Sequence, residues 1–252
     1  MAHIAHTLRM AARRFLPVSV RRRLQLMSRW PPIGGVDFSD LRRLTPISRD
    51  DGYDRGAPID RYYIEGFLEQ HSQDIRGHVL EIAENTYTRR FGGSRVTQSD
   101  VLHAAPGNPN ATIVADLAKA DQISSNTFDC IICTQTLQVI PDVEAAVRTL
   151  HRILRPGGIL LATFSGIGKI YRDRQHPWGD HWRLTTLSAR WLFAKVFPID
   201  CLEVTANGNV LVAVASLHGL AVEELSRTEL DFVDPDYELL VTVRAAKPNI
   251  ES

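Results

Sequence analysis

The chain has 252 residues, 23% of them charged, and a formal net charge of zero. That length suits one large α/β domain or two small ones, with apolar content ample for a core. No run of about 18 apolar residues occurs and no compact apolar block follows the first charges, so neither a membrane span nor a secretory signal is expected.

Charge is unevenly spread. Residues 1–49 carry ten Arg against Asp37 and Asp40, about +8, which leaves about −8 for the rest. A basic N-terminal extension over 1–49 is expected, helical in pieces and interrupted at Pro17, with a breaker cluster at Trp30–Gly35. Such an arm either packs as a solvated extension or meets a protein or an anionic membrane surface.

Residues 50–76 lead into the core. Ile59, Tyr62, Tyr63, Phe67 and Leu68 are spaced as one stripe of a helix that Gly77 closes. From residue 77 to 252 the pattern alternates. Short apolar strands are predicted at "HVLEIA", "RVTQSDV", "ATIVADL", "FDCIICTQTL" and "ILLATFS". Between the last two, Val143, Ala146, Val147, Leu150, Ile153 and Leu154 mark a helix face, with Pro156-Gly157-Gly158 as a sharp stop. The tail adds a helix at "TTLSARWLFAKVF", a strand at "CLEVTANGNV", a helix at "LVAVASLHGLAVEEL" and a closing strand at "YELLVTVRAAKP". Alternating strands and helices imply a doubly wound parallel sheet, which binds ligands beyond the carboxyl ends of its strands. Cys130 and Cys133 stand three apart on one strand and so face opposite sides. With Cys201 they read as structural thiols of a reducing cytoplasm.

The segment "VLEIAENTYTRRFGG", Val79–Gly93, runs like a strand into a nucleotide loop, yet its glycines arrive only at Gly92 and Gly93. A nicotinamide dehydrogenase would need Gly-x-Gly-x-x-Gly here, and that is absent. Further on, "FDCIICTQTLQVIPDVEAAVRTLHRILRPGGILLATFSG", Phe128–Gly166, closely resembles the second half of class I S-adenosylmethionine-dependent methyltransferases. The resemblance extends over roughly residues 77–247. It implies a Rossmann-like, seven-stranded, mostly parallel sheet whose last strand is antiparallel.

The resemblance also implies site residues. Glu81, ending the first strand, organises the pocket near the methionyl group. Asp100, taken as the acid ending the second strand, meets the ribose; Asp116, followed by Leu117, meets the adenine; Thr134 and Gln135 line the methyl-donor pocket. Ala83, Asn85 and Tyr87 occupy the usual glycine places, with Thr86 between the last two. Asn85 is the residue expected to tolerate a left-handed conformation, and bulky Tyr87 is the departure. Arg89 or Arg90 is a candidate partner for the cofactor carboxylate. Arg55, Arg61, Tyr62 and Tyr63 are candidates for a lid over the cofactor. After the fifth strand, "FSGIGKIYRDRQHPWGDHWRLT" supplies an acceptor loop: Trp178, Trp182 and Arg183 for the substrate, His176 and His181 as candidate general bases. No metal triad stands out. The implied function is methyl transfer from S-adenosylmethionine, on oxygen, to a small-molecule or saccharide acceptor rather than to a nucleic acid. The rival reading is a methyltransferase fold kept as a binding module after its glycines were lost.

Overall fold

The computed structural model describes residues 17–20, 31, 35–172 and 179–249. The chain divides into two compact units, Met1–Thr45 and Pro46–Ser252. In the first, a single turn at Ser39–Leu41 follows Asp37, whose carboxylate accepts the Ser39 N–H, and the Arg42 guanidinium sits over the Phe38 ring.

The second unit is built on seven strands: β1 Gly77–Ile82, β2 Val96–His103, β3 Ile113–Val114, β4 Phe128–Thr134, β5 Leu154–Ser165, β6 Leu202–Asn207 and β7 Leu240–Ala246. Their order across the sheet is β3-β2-β1-β4-β5-β7-β6. Strands β1 to β5 run parallel, and β7 is antiparallel to both β5 and β6. This is the expected doubly wound sheet, and its order reverses between β1 and β4. The apolar runs are explained by burial on both faces: in β4 only Asp129 and Thr134 escape full burial.

Among the described residues five helices of this unit flank the sheet: α1 Ile59–Gln70, α2 Val143–Ile153, α3 Thr186–Phe193, α4 Val210–Leu217 and α5 Arg227–Asp231. Strand alternation sends Leu80, Ile131, Cys133 and Leu160 to one face, where they pack with α2 and α3 residues such as Val147, Leu150 and Phe193. Val79, Cys130, Ile132 and Leu161 go to the other, against Ile64, Leu68 and Val212 of α1 and α4. Cys130 and Cys133 therefore lie on opposite faces, and burial pushes the Cys133 thiol up to about 12. Side-chain caps fix the helix starts: Asp142 for α2, Thr185 for α3 and Asn209 for α4.

Two local expectations are corrected. The stop before β5 falls earlier than Pro156: the chain is already extended at Leu154, and Pro156-Gly157-Gly158 forms an irregular start to β5. Gly157, at φ +77°, makes that bend, and its N–H reaches the Lys247 carbonyl. The third strand contracts to two residues, because only Ile113 and Val114 find partners on β2. Among the described residues no helix is long and apolar enough to cross a membrane.

Candidate functional site

The carboxyl ends of β1, β2, β3 and β4 open into two adjoining clefts. The first, about 750 Å³, is walled by Leu102, Ala115, Leu117, Ile140 and Pro141, with Asp116 at its edge and Ala83 at its floor. The second, about 730 Å³, lies under the N-terminal end of α1 and is polar and aromatic: Tyr53, Asp60, Arg61, Gln138 and Tyr171 line it. His103, Gln135 and Val139 belong to both. The pair of clefts thus straddles the point where strand order reverses, the place a doubly wound sheet offers to a ligand.

The loop after β1 is organised from below by Glu81. Its buried carboxylate accepts the Tyr87 N–H at 3.2 Å, and the Thr88 N–H and hydroxyl at 2.7 Å each. Burial pushes this carboxyl up, and those three hydrogen bonds pull it back. Ala83 adopts φ +73°, so it takes the backbone conformation a glycine would have supplied. Asn85 does not have positive φ; it turns its amide toward the Ser99 hydroxyl. Thr86 is exposed, with its hydroxyl on Glu84. The left-handed residue is therefore Ala83, which corrects the expectation for Asn85.

Tyr87 does not fill either cleft. Its ring is buried with Ile75, Val79 and Phe67, and its hydroxyl accepts from Arg61 Nη1 at 2.7 Å. Arg61 also donates to the Tyr53 hydroxyl at 3.3 Å. Arg90 pairs with Glu65, and Arg55 with Glu224, so neither faces a cleft.

Three expectations fail on geometry. Asp100 does not end β2: it sits three residues before the strand's end at His103. Its carboxylate is taken by His78 Nε2 at 2.6 Å and by the Thr112 hydroxyl at 2.7 Å, which hold it below its ordinary range despite partial burial. The strand-end position that faces both clefts is His103, whose Nδ1 lies 2.7 Å from the Ala105 carbonyl. Tyr62 and Tyr63 do not roof the cofactor side; their hydroxyls go to Asp231 and to the Leu230 carbonyl, fastening α1 to α5. Thr134 stays within β4, and the adjacent Gln135 turns out at φ +49°.

The acceptor loop is partly described. His176 and Trp178 lie outside the described residues. His181 donates its backbone N–H to the Gln138 carbonyl, and its ring packs over Gly179 at the rim of the second cleft. Trp182 donates its indole N–H to the Ile140 carbonyl at 3.0 Å. Arg183 is committed to Asp180, whose carboxyl is lowered because those bonds outweigh its burial. Asp180 in turn accepts the Tyr171 N–H, while the Tyr171 hydroxyl donates to Asp51 at 2.7 Å. Burial and that carboxylate raise the Tyr171 phenol.

Residues 76–162 match the family described as methyltransferase domain. That segment, about a third of the chain, resembles the methyltransferase domain of the class I S-adenosylmethionine-dependent enzymes. Among curated proteins it is 34% identical over 85 residues to the ubiquinone/menaquinone biosynthesis C-methyltransferase UbiE of Pasteurella multocida, covering 34% of this chain and 30% of that one. With UbiE of Klebsiella pneumoniae it is 42% identical over 52 residues, 21% of each chain. The match thus spans less than a third of these relatives. Among solved structures, the [4+2]-cyclase SpnF superposes with a TM-score of 0.50 at 15% identity, over 81% of this chain and 90% of that one. The likeness to SpnF is one of fold.

The residues present fit S-adenosylmethionine, the cofactor of this class. An apolar slot between Leu102, Leu117 and Ile140 suits adenine, with the Asp116 carboxylate beside it for the exocyclic amine. Ala83 offers close backbone approach. Gln138 Nε2 donates to Gln135 Oε1 at 2.6 Å, which leaves Gln135 Nε2 and Gln138 Oε1 buried without a partner at the cleft wall. A native core rarely leaves such atoms unpaired, so the amide pair is suited to ligand polar groups. Among the described residues no cluster of His, Cys, Asp or Glu could hold a metal.

His103, Gln138, Asp51, Asp60 and Tyr171 escape a reading of the sequence. His103 had a signal: counting β2 to its end, rather than to its nearest acid, reaches it. The others come from segments 51–60, 138 and 171, and nothing local marks them as neighbours.

Proposed function

We propose that the chain transfers the methyl group of S-adenosylmethionine to an oxygen of a small-molecule or saccharide acceptor. The observation that carries this reading is the pair of clefts that meet at His103 and Gln135: an apolar one of adenosine size and a polar, aromatic one beside it. In this reading Leu102, Leu117 and Asp116 hold the adenine, and His103 stands where the ribose passes. Gln135 orients the methyl-donor end. When bound, the cofactor supplies a sulfonium that is already a good leaving group. The protein's part is to align the acceptor oxygen and exclude water. Tyr53 and Tyr171 offer aromatic and hydroxyl contacts to a hydroxylated acceptor. His181, at the rim, is the candidate base for its proton, together with His176. The basic stretch 1–49 is proposed as the element that meets an acidic protein or an anionic surface.

A second reading keeps the clefts without methyl transfer. The glycine places filled by Ala83, Asn85 and Tyr87 favour it, and SpnF, named as a cyclase, has the same fold. Isothermal titration with S-adenosylmethionine, followed by detection of S-adenosylhomocysteine with a panel of hydroxylated acceptors, separates the two. Binding with turnover on some acceptor supports the enzyme. Binding without turnover across the panel favours the module, and no binding at millimolar cofactor refutes both uses of the adenosine cleft.

A further inference from the structure

Arg61 is a half-buried guanidinium whose hydrogen bonds go to two phenols, Tyr87 Oη and Tyr53 Oη. Among the described residues it forms no ion pair, unlike Arg55, Arg90, Arg183 and Arg244, each of which holds a carboxylate. Its hydrogen bonds go to neutral oxygens, and although the neighbouring Asp60 attracts it, the two are not joined as an ion pair, so a charge kept from bulk water faces the cleft. Its neighbour Asp60 lines the same cleft from the first turn of α1. Among the described residues no side chain donates a hydrogen bond to the Asp60 carboxylate; burial raises it, while the Arg61 charge and the Arg61 and Asp60 backbone N–H groups draw it down. One cation and one carboxyl, adjacent on one turn and open to one cavity, match a zwitterion.

We infer that Arg61 and Asp60 read the amino-acid end of the cofactor, Arg61 taking its carboxylate and Asp60 its ammonium group. The inference rests on the cofactor reading given above and adds to it the specificity of the second cleft. It also gives Tyr87 a task. The residue that stands in a glycine's place does not cradle the cofactor with its backbone; its hydroxyl holds Arg61 in position, and its buried ring fixes the hydroxyl. A loop short of glycines is thereby compensated by a charge supplied from α1, whose planar fork suits a carboxylate.

The test compares two ligands that share the adenosine part. S-adenosylhomocysteine carries the amino-acid end and 5′-methylthioadenosine lacks it. Both are titrated calorimetrically into the full chain, wild type first. The expected result is that Arg61→Met lowers S-adenosylhomocysteine affinity by about tenfold or more, the loss of a charged hydrogen-bonded pair. Affinity for 5′-methylthioadenosine stays within about twofold in the same variant, which certifies the fold of the cleft. Asp60→Asn repeats the pattern with a smaller loss, and Tyr87→Phe follows Arg61→Met in part. Equal losses for the two ligands, or an unchanged S-adenosylhomocysteine affinity, overturn the assignment while leaving the cofactor reading in place. A wild-type chain that binds neither ligand overturns the cofactor reading and the assignment together, and is recognised before any substitution is made.

Discussion

The two clefts are built differently. The adenosine-sized one is made by strand ends: Leu102 and His103 are the last residues of β2, Ala115 to Leu117 follow β3, and its walls are the outer rim of a buried core. The other is assembled from segments far apart in sequence, residues 51–61, 135–139, 170–172 and 179–180, tied by polar bonds such as Tyr171 to Asp51 and Lys169 to Asp51. The first is a consequence of the sheet; the second depends on individual hydrogen bonds that solvent can replace. A rigid half and an adjustable half suit a ligand set with one constant part and one variable part.

The sharpest way to break this contrast is to remove the support between the clefts. Glu81→Ala strands three buried donors of Tyr87 and Thr88, and a stability loss of about 3 kcal/mol is expected in denaturant unfolding. An effect within experimental error would mean that the loop is held by other contacts. Asp100→Ala comes next: a loss of about 1–2 kcal/mol in stability, with S-adenosylmethionine affinity unchanged in calorimetry. A drop in affinity instead would return Asp100 to the site. Because the folded carboxyl is lowered by His78 and Thr112, its contribution is complete above the unfolded value and disappears as pH falls through the folded one. The acid limb of the stability curve, below about pH 4, should therefore flatten in the Asp100→Ala protein. Asp116→Ala tests the rigid cleft alone and should weaken 5′-methylthioadenosine and S-adenosylmethionine by an equal factor of about five. Smallest is Ala83→Gly, which relieves a positive φ and should raise stability by about 0.5–1 kcal/mol with the fold unchanged.

The contrast also explains what could be read from the chain. Strand runs such as Val79–Ile82 and Phe128–Cys133 declare themselves by apolar content, and the helix face of Val143, Val147 and Leu150 by its period. Their order in the sheet then follows from the parallel, doubly wound rule. The adenosine cleft inherits that legibility, so Asp116, Leu117 and Gln135 were within reach. Asp100 misled because an acid near a strand's end looks the same whether it stops there or three residues later. Only register, Glu81 opposite Val101, separates the two. The tyrosines of α1 misled for another reason. Tyr62 and Tyr63 have the spacing of a buried stripe, and α5 claims their hydroxyls, which no local pattern announces. On the same helix Arg61 reads from sequence only as a lid candidate and Asp60 not at all, because what the two share is a cavity that no local pattern announces.

The position of β7 has a consequence for biogenesis. It is the last strand along the chain, yet it sits inside the sheet, hydrogen-bonded to β5 on one side and β6 on the other. Until residues 240–246 emerge from the ribosome, β6 has no neighbour to join and the far edge of β5 stays open, a bare template for other chains. A nascent chain stalled before Leu240 should therefore be held by chaperones and cut by protease across 202–239, while β1 to β5 are already protected. Completion of the domain waits on its final seven-residue strand, which acts as the keystone of the right half of the sheet.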